Sequence, residues 1–347
     1  MRAVIMQDLD VLTYDDVAIP LVESGGLLIK VEACSMCATD LKLLRYGHPG
    51  IKTPHVLGHE IAGTVAEVGG DDLGFKKGDR VAVGLVIPCN MCIDCVQGFR
   101  TACKYSKRIG YDYWGGFAQY VAVPAAGVKQ RLVKRIPDHV PFDQAALMEP
   151  LACVLHGHNK VNTHPGDRVV VIGLGPIGSM HIAMAKARGA AKVIAVDVLP
   201  ERIELARRFN ADLYVNSAKT NLTQLVKDET EGRGADVVIV ATIAKGIYET
   251  VTDFIAPGGR ILAFSGFPKD KPWEKVDINA IHYKEALLIG SSAATPEDCD
   301  AALGMIASGQ IDAGCFISHR VGLAQVQEAI EMIRRGESIK IIVNPWL

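Results

Sequence analysis

Cys89, Cys92, Cys95 and Cys103 fall within fifteen residues, as CxxCxxC followed by seven residues and a last Cys. Four soft donors at such short spacing, with Pro88 and Gly98 to turn the chain, let one segment wrap a tetrahedral zinc. Four thiolates leave no open position, so the chemistry expected is structural: a metal that folds a lobe of about residues 88–104, too small to have its own core. Unliganded buried cysteines and an iron–sulfur cluster are the alternatives. A second set of donors is scattered: Cys37 in the stretch CSMCATD, His59-Glu60 after Gly58, and Glu149 between Met148 and Pro150. A thiolate, an imidazole and a carboxylate are the mixed donors of a metal site that keeps one place free for a reacting molecule. Taken singly, each is also an ordinary packed residue.

The run VVVIGLGPIG (169–178) sets a GxGxxG between an apolar strand and a helix expected to reach about Arg188. Gly173 makes the tight turn, Gly175 admits a pyrophosphate to the backbone, and Gly178 lets helix and strand pack closely, with Pro176 and Ile177 opening the helix. Asp197 ends the next apolar run, nineteen residues beyond Gly178. A carboxylate there accepts from the hydroxyls of an adenosine ribose and repels a 2′-phosphate, so NAD is expected over NADP. Arg202, shortly after it, joins the candidate cofactor contacts.

Positioning these groups takes about two domains, which 347 residues supply. Hydrophobic residues make up 49% and charged residues 22%, the balance of a globular chain. With 37 basic and 39 acidic residues there is no field to collect nucleic acid or anionic lipid, and neither is expected as a partner. No run resembles a membrane span, Arg2, Asp8 and Asp10 argue against a signal peptide, and a cytoplasmic location is the default. Six of the nine cysteines lie between Cys34 and Cys103, which in a reducing compartment points to metal before disulfides. Residues 1 to about 130 alternate short apolar runs (27–33, 61–68, 80–83, 118–123) with glycine turns, the texture of a β barrel-like unit. Helical texture starts near Phe142. Apolar runs at 169–173, 193–197, 212–215, 236–241, 260–264 and 286–290 then alternate with helices, as in a doubly wound parallel sheet. The stretches 296–308 and 325–335, with a strand-like piece near Phe316, are expected to pack back on the first domain.

The chain resembles the zinc-dependent medium-chain dehydrogenase/reductase (alcohol dehydrogenase) family, in its polyol or sorbitol dehydrogenase-like branch. The match runs through Cys37-Ala38-Thr39-Asp40, Gly58-His59-Glu60, Gly78-Asp79-Arg80-Val81, the four cysteines, Glu149-Pro150-Leu151 and GLGPIG. The resemblance implies an α/β protein: a GroES-like, mostly β catalytic domain (1–150 and 291–347) around a Rossmann domain with a doubly wound, parallel, six-stranded sheet (151–290). It implies two zinc ions per chain and NAD, with Cys37, His59 and Glu149 at catalytic zinc, Glu60 able to approach it transiently, and Asp40 orienting His59. It further suggests a homotetramer or homodimer. Two departures stand out: Lys42 occupies the place of a proton-shuttling His, and Ala293-Ala294 replaces an Arg-Tyr pair frequent in sorbitol dehydrogenases, against sorbitol as the substrate.

The activity expected is reversible, NAD-linked oxidation of a small secondary alcohol or polyol to its ketone, with Thr39 carrying the hydroxyl proton away. A threonine-type hydroxyamino-acid dehydrogenase and an enzyme using NAD transiently within one cycle are the alternatives. A non-enzymatic zinc-binding protein would show basic patches or a degraded donor set, and neither is present. Among other residues, Cys34, Cys153, Cys299 and Cys315 read as packing cysteines. His156, on the helical face of Glu149, His48, Tyr46 and Trp114 are weaker candidates for lining a pocket.

Overall fold

The computed structural model describes residues 1–70, 73–268 and 270–347, which form two compact units: Met1–Cys153 with Ala293–Leu347, and Val154–Ser292.

The first unit is built on a sheet whose strands run in the order Ile317–Val321, Lys340–Val343, Leu27–Ser35, Glu60–Val68, Arg80–Val83 and Val133–Arg135. Tyr120–Val123 also pairs with Leu27–Ser35. In that long strand Leu27, Ile29 and Val31 are fully buried while Lys30 and Glu32 pair with each other at 2.8 Å, the period-two alternation of a strand with one wet face. The late segment does return to this unit: Ile342 and Val343 pair antiparallel with Ser35 and Cys34. The helix Val326–Arg335, which precedes that last strand, buries Val326, Ala329 and Ile330 at helical spacing and stops at Gly336, whose φ of 76° serves a left-handed cap. Among the elements not expected, two bear on the candidate site. The strand Lys340–Val343 is one, and the helix Ala38–Tyr46, inside a region whose texture is β, is the other.

The four-cysteine segment is a small lobe of one helical turn (Ile93–Val96) and one 3-10 turn (Arg100–Ala102), with left-handed backbone at Asn90 and Gly98. A two-stranded ribbon, Val86–Ile87 with Lys107–Arg108, closes its base.

In the second unit six parallel strands lie in the order Leu213–Asn216, Lys192–Asp197, Arg168–Ile172, Ala235–Val240, Ile255–Ala263 and Leu287–Gly290. The order reverses at Arg168–Ile172, which places the glycine turn at the switch point where such sheets bind dinucleotides. His158 and His181 are fully buried in this unit, ring centroids 5.2 Å apart, and burial holds His158 well below its usual range and pulls His181 down to about 3. Both are therefore neutral core residues. His156 is half-buried. Among the described residues no helix is long and apolar enough to cross a membrane.

Candidate active site

Cys37 ends the run out of the central strand in extended backbone (φ −113°, ψ 145°) and caps the helix Ala38–Tyr46, its Sγ accepting the Thr39 N–H at 3.5 Å. Asp40, buried in the first turn, ties three separate groups together. Its Oδ2 accepts the Cys37 N–H at 2.9 Å, while Oδ1 accepts the Gly58 N–H at 3.2 Å and faces His59 Nδ1 at 3.1 Å. Gly58 has φ 93°, and a Cβ there would lie 2.8 Å from both Cys34 Sγ and the Phe117 ring, so only glycine delivers the chain to His59 this way. Burial works against a charge on His59, but the Asp40 carboxylate and its hydrogen bond outweigh it and hold the imidazole well above its usual range. With Nδ1 engaged by Asp40, Nε2 is left for a ligand bond.

The donor atoms of Cys37, His59 and Glu60 all lie within 4.8 Å of one another. Glu60 is fully buried, and its carboxylate meets the equally buried Lys340, whose Nζ is 2.7 Å from Oε1 and 2.5 Å from Oε2 and also donates to the Met36 carbonyl at 2.8 Å. Burial opposes the ammonium charge of Lys340, and Glu60 more than restores it, so its pKa is raised. Sequence reasoning missed Lys340. The signal available was a lone cation within the apolar run IKIIV, which needs a buried counter-charge.

Glu149, expected as the third ligand, lies outside that three-residue group. It is buried at the start of the helix Met148–Lys160, where its Oε1 accepts the Cys153 thiol at 3.4 Å one turn later. Burial, opposed by the charge on His59, lifts its pKa to about 7. Cys153 is thus a half-buried hydrogen-bond donor rather than a packing residue, and half-buried Cys315 likewise donates to Asp312 at 2.9 Å; Cys34 and Cys299 are buried. Thr39 is half-buried beside Cys37, and Lys42, one turn further, is exposed. Tyr111, which the sequence did not single out, sets its ring 5.9 Å from that of His59 and 5.3 Å from that of His48, and burial raises its phenol to about 12. Tyr46 is exposed.

In the lobe the sulfurs of Cys89 and Cys103 are 3.5 Å apart, those of Cys92 and Cys103 3.8 Å, and those of Cys89 and Cys95 3.9 Å. A tetrahedron with Zn–S bonds of about 2.3 Å has an edge of about 3.8 Å, whereas a disulfide needs about 2.05 Å. The four sulfurs therefore fit one zinc. The Met91 and Cys92 N–H groups donate to Cys89 Sγ at 3.5 and 3.3 Å, and these bonds lower its pKa to about 6.

At the glycine turn, Gly173 has φ 94°, and a Cβ on Gly178 would sit 1.7 Å from the Gly173 carbonyl oxygen. A Cβ on Gly175 would meet nothing within 4 Å, the open approach a pyrophosphate needs above the helix Pro176–Ala187. Pro176 and Ile177 open that helix. Asp197 Oδ2 accepts the Leu174 N–H at 2.7 Å and Oδ1 accepts the Leu199 N–H at 3.0 Å, which fixes the carboxylate at the end of its strand beside the turn. Arg202 lies on the next helix, Pro200–Ala206.

The Alcohol dehydrogenase GroES-like domain family matches residues 23–138, and the Zinc-binding dehydrogenase family matches residues 176–308. A probable D-xylulose reductase A of Neosartorya fischeri is 31% identical over 348 residues, covering 98% of this chain and 95% of that protein. The chain belongs to the zinc-dependent medium-chain dehydrogenase/reductase family. This dehydrogenase is also 32% identical to an L-threonine 3-dehydrogenase of Bacillus licheniformis over 340 residues (96% of this chain, 95% of the relative). The crystal structure of 2R,3R-butanediol dehydrogenase from Bacillus subtilis superposes with a TM-score of 0.90 at 26% identity, covering 99% of both chains. The GroES-like and Rossmann architecture is thereby that of the family, and the enzyme is a zinc-dependent, nicotinamide-dinucleotide-linked oxidoreductase.

Proposed function

We propose that this dehydrogenase reversibly oxidises one secondary hydroxyl of a small polyol or vicinal diol to a ketone, with NAD as hydride acceptor. The observation that carries the reading is the Cys37, His59 and Glu60 cluster with Thr39 beside it. A thiolate, an imidazole and a carboxylate are donors that suit zinc, and with bonds of about 2.0–2.3 Å one ion would draw on all three with little movement. When bound, zinc supplies a Lewis acid that favours the ionised form of an alcohol. Cys37, His59 and Glu60 would hold it; Glu149, a third carboxylate beside Asp40 and Glu60, is close enough to feel the charge on His59. Asp40 fixes the tautomer and direction of His59, and Lys340 holds Glu60 in place through their ion pair. Thr39 Oγ1 accepts the hydroxyl proton while its own hydroxyl proton passes on to water, as the carbinol hydride leaves for the nicotinamide, so proton and hydride depart by separate routes. Gly175 admits the pyrophosphate, Asp197 accepts from the ribose hydroxyls, and Arg202 lies close enough in sequence to line the same end.

A second zinc in the lobe fits the sulfur spacing. Nine free thiols suit a cytoplasmic enzyme, and Leu287 and Leu288, exposed on an edge strand, suit a homotetramer or homodimer. Relatives named for xylulose and butanediol support the polyol or diol class, and Ala293-Ala294 in place of an Arg-Tyr pair speaks against sorbitol. The test is an NADH absorbance assay over pentitols, tetritols, vicinal diols and L-threonine. A polyol or diol should give the highest kcat/KM, and NAD should beat NADP by at least about tenfold, ~1.4 kcal/mol, with Asp197→Ala narrowing the gap. L-threonine as best substrate would overturn the substrate class, and equal use of both cofactors would overturn the ribose assignment.

A further inference from the structure

His55 is 3% exposed, and its backbone is pinned to Met6 by hydrogen bonds of 2.7 and 3.0 Å in both directions, so the ring has little freedom to reposition. The backbone of Gly110 engages the ring and favours its proton, but burial prevails and lowers its pKa, leaving a neutral imidazole. Nε2 has no hydrogen-bond partner among the described residues. A buried polar atom left unmade costs about 1–3 kcal/mol, so such an atom in a native protein calls for a partner. Nε2 of the neutral ring is therefore a polar atom that can accept a hydrogen bond or, in the other tautomer, donate one.

His55 lines a cavity of about 470 Å³ together with Lys52, Lys107, Asp112 and Trp114, a volume within the usual range for small-molecule sites. Lys107 and Asp112 pair at 2.9 Å, and the other oxygen of Asp112 accepts the Arg108 N–H at 2.9 Å. Lys52 is an exposed ammonium with no ion pair among the described residues, and Trp114 offers a half-buried indole. Polar and charged side chains of both kinds, His55 and Asp112 with Lys52 and Lys107, thus line one cavity with Trp114. A hydroxyl both donates and accepts, so a chain of hydroxyls satisfies this mixture while its C–H edge covers the indole. An inorganic anion would find the ammonium groups but face the Asp112 carboxylate.

We propose that this cavity is a second binding site, separate from the Cys37, His59 and Glu60 cluster, for a polyhydroxylated small molecule of the alditol or sugar class. None of the five residues takes part in the reaction assigned above, so the two readings stand or fall separately. The full-length, zinc-loaded enzyme without dinucleotide is titrated with xylitol and, in parallel, with inorganic phosphate, while tryptophan emission is followed. Xylitol should shift the emission, and the response should vanish in Trp114→Phe. His55→Met should weaken binding by about fivefold or more, and Lys52→Ala, a surface change that leaves the fold alone, by about twofold or more. A xylitol response that survives in Trp114→Phe, unaltered affinity in both His55→Met and Lys52→Ala, binding of phosphate in preference to xylitol, or no response at all would each overturn the proposal.

Discussion

Two candidate metal sites share the first unit and are assembled in opposite ways. The lobe takes four like donors from fifteen consecutive residues, so the loop to be closed is short and the entropy of bringing the donors together is small. Its regular structure is limited to two short turns and a two-stranded ribbon. The Cys37, His59 and Glu60 cluster is instead tied into the protein's own polar contacts. Asp40 bridges Cys37, Gly58 and His59, and Lys340 pairs with Glu60. The first arrangement uses metal to make structure, and the second uses structure to present a metal with an open side.

This contrast is most exposed to failure by metal removal. Brief chelation should strip the open cluster, abolishing turnover by more than about a hundredfold, since a Lewis acid supplies several kcal/mol at the transition state. Elemental analysis should then find one zinc where there were two, with circular dichroism unchanged. Cys103→Ser should do the reverse, losing the tightly held ion and lowering Tm while leaving the chelator-sensitive ion in place. Loss of both ions together in either experiment would erase the distinction.

The next effect is confined to the open cluster. Thr39→Val removes the hydroxyl at constant shape and should cost about 10²–10⁴-fold in kcat, whereas Thr39→Ser should stay within about tenfold. Zinc content should be unaltered in both, and the exposed Lys42 should tolerate Lys42→Ala with a small change. A Lys42→Ala loss as large as that of Thr39→Val would move the relay to the lysine.

A finer distinction separates the two carboxylates. Glu60→Gln should weaken zinc at the open cluster by about 10–100-fold or more in competition titrations, and Glu149→Gln by less. The Glu149 carboxyl is raised from 4.5 to about 7, so in metal-free protein its contribution is fully present below pH 4.5 and is lost as the pH rises through 7. Metal-free Glu149→Gln should therefore equal the parent in urea unfolding near pH 4.5 and exceed it by up to about 3 kcal/mol at pH 8. A parallel pH dependence in parent and variant would show that Glu149 titrates normally.

Features written in contiguous residues were legible in the sequence. The four cysteines, the glycine turn and its strand, and the run ending at Asp197 all occupy the places that their local pattern implies, and the six apolar runs became the six parallel strands. The helix Ala38–Tyr46 escaped because its cap is a cysteine, outside the usual Ser, Thr, Asn and Asp set, and only three of its nine residues are buried. The strand Lys340–Val343 escaped because it is four residues long and begins with a lysine. Tyr111 meets His59 only through the fold. The weighting of Glu60 over Glu149 is of the same kind: both are acids beside a candidate ligand site, and only the three-dimensional path past Gly58 shows which one closes on Cys37.

The pairing of Glu60 with Lys340 also bears on how the enzyme is made. These partners are separated by 280 positions, so a ribosome that has finished the Glu60–Val68 strand must add most of the remaining chain before the counter-charge appears. Until then the carboxylate has to stay hydrated, because burying it alone would cost several kcal/mol. The nascent first unit should accordingly be kept from closing early, with Cys37, His59 and Glu60 brought together only when the late strand docks against Ser35 and Cys34. Ribosome-bound chains halted before and after Lys340 should differ in protease resistance around Glu60, and equal resistance would show that closure does not wait for the lysine.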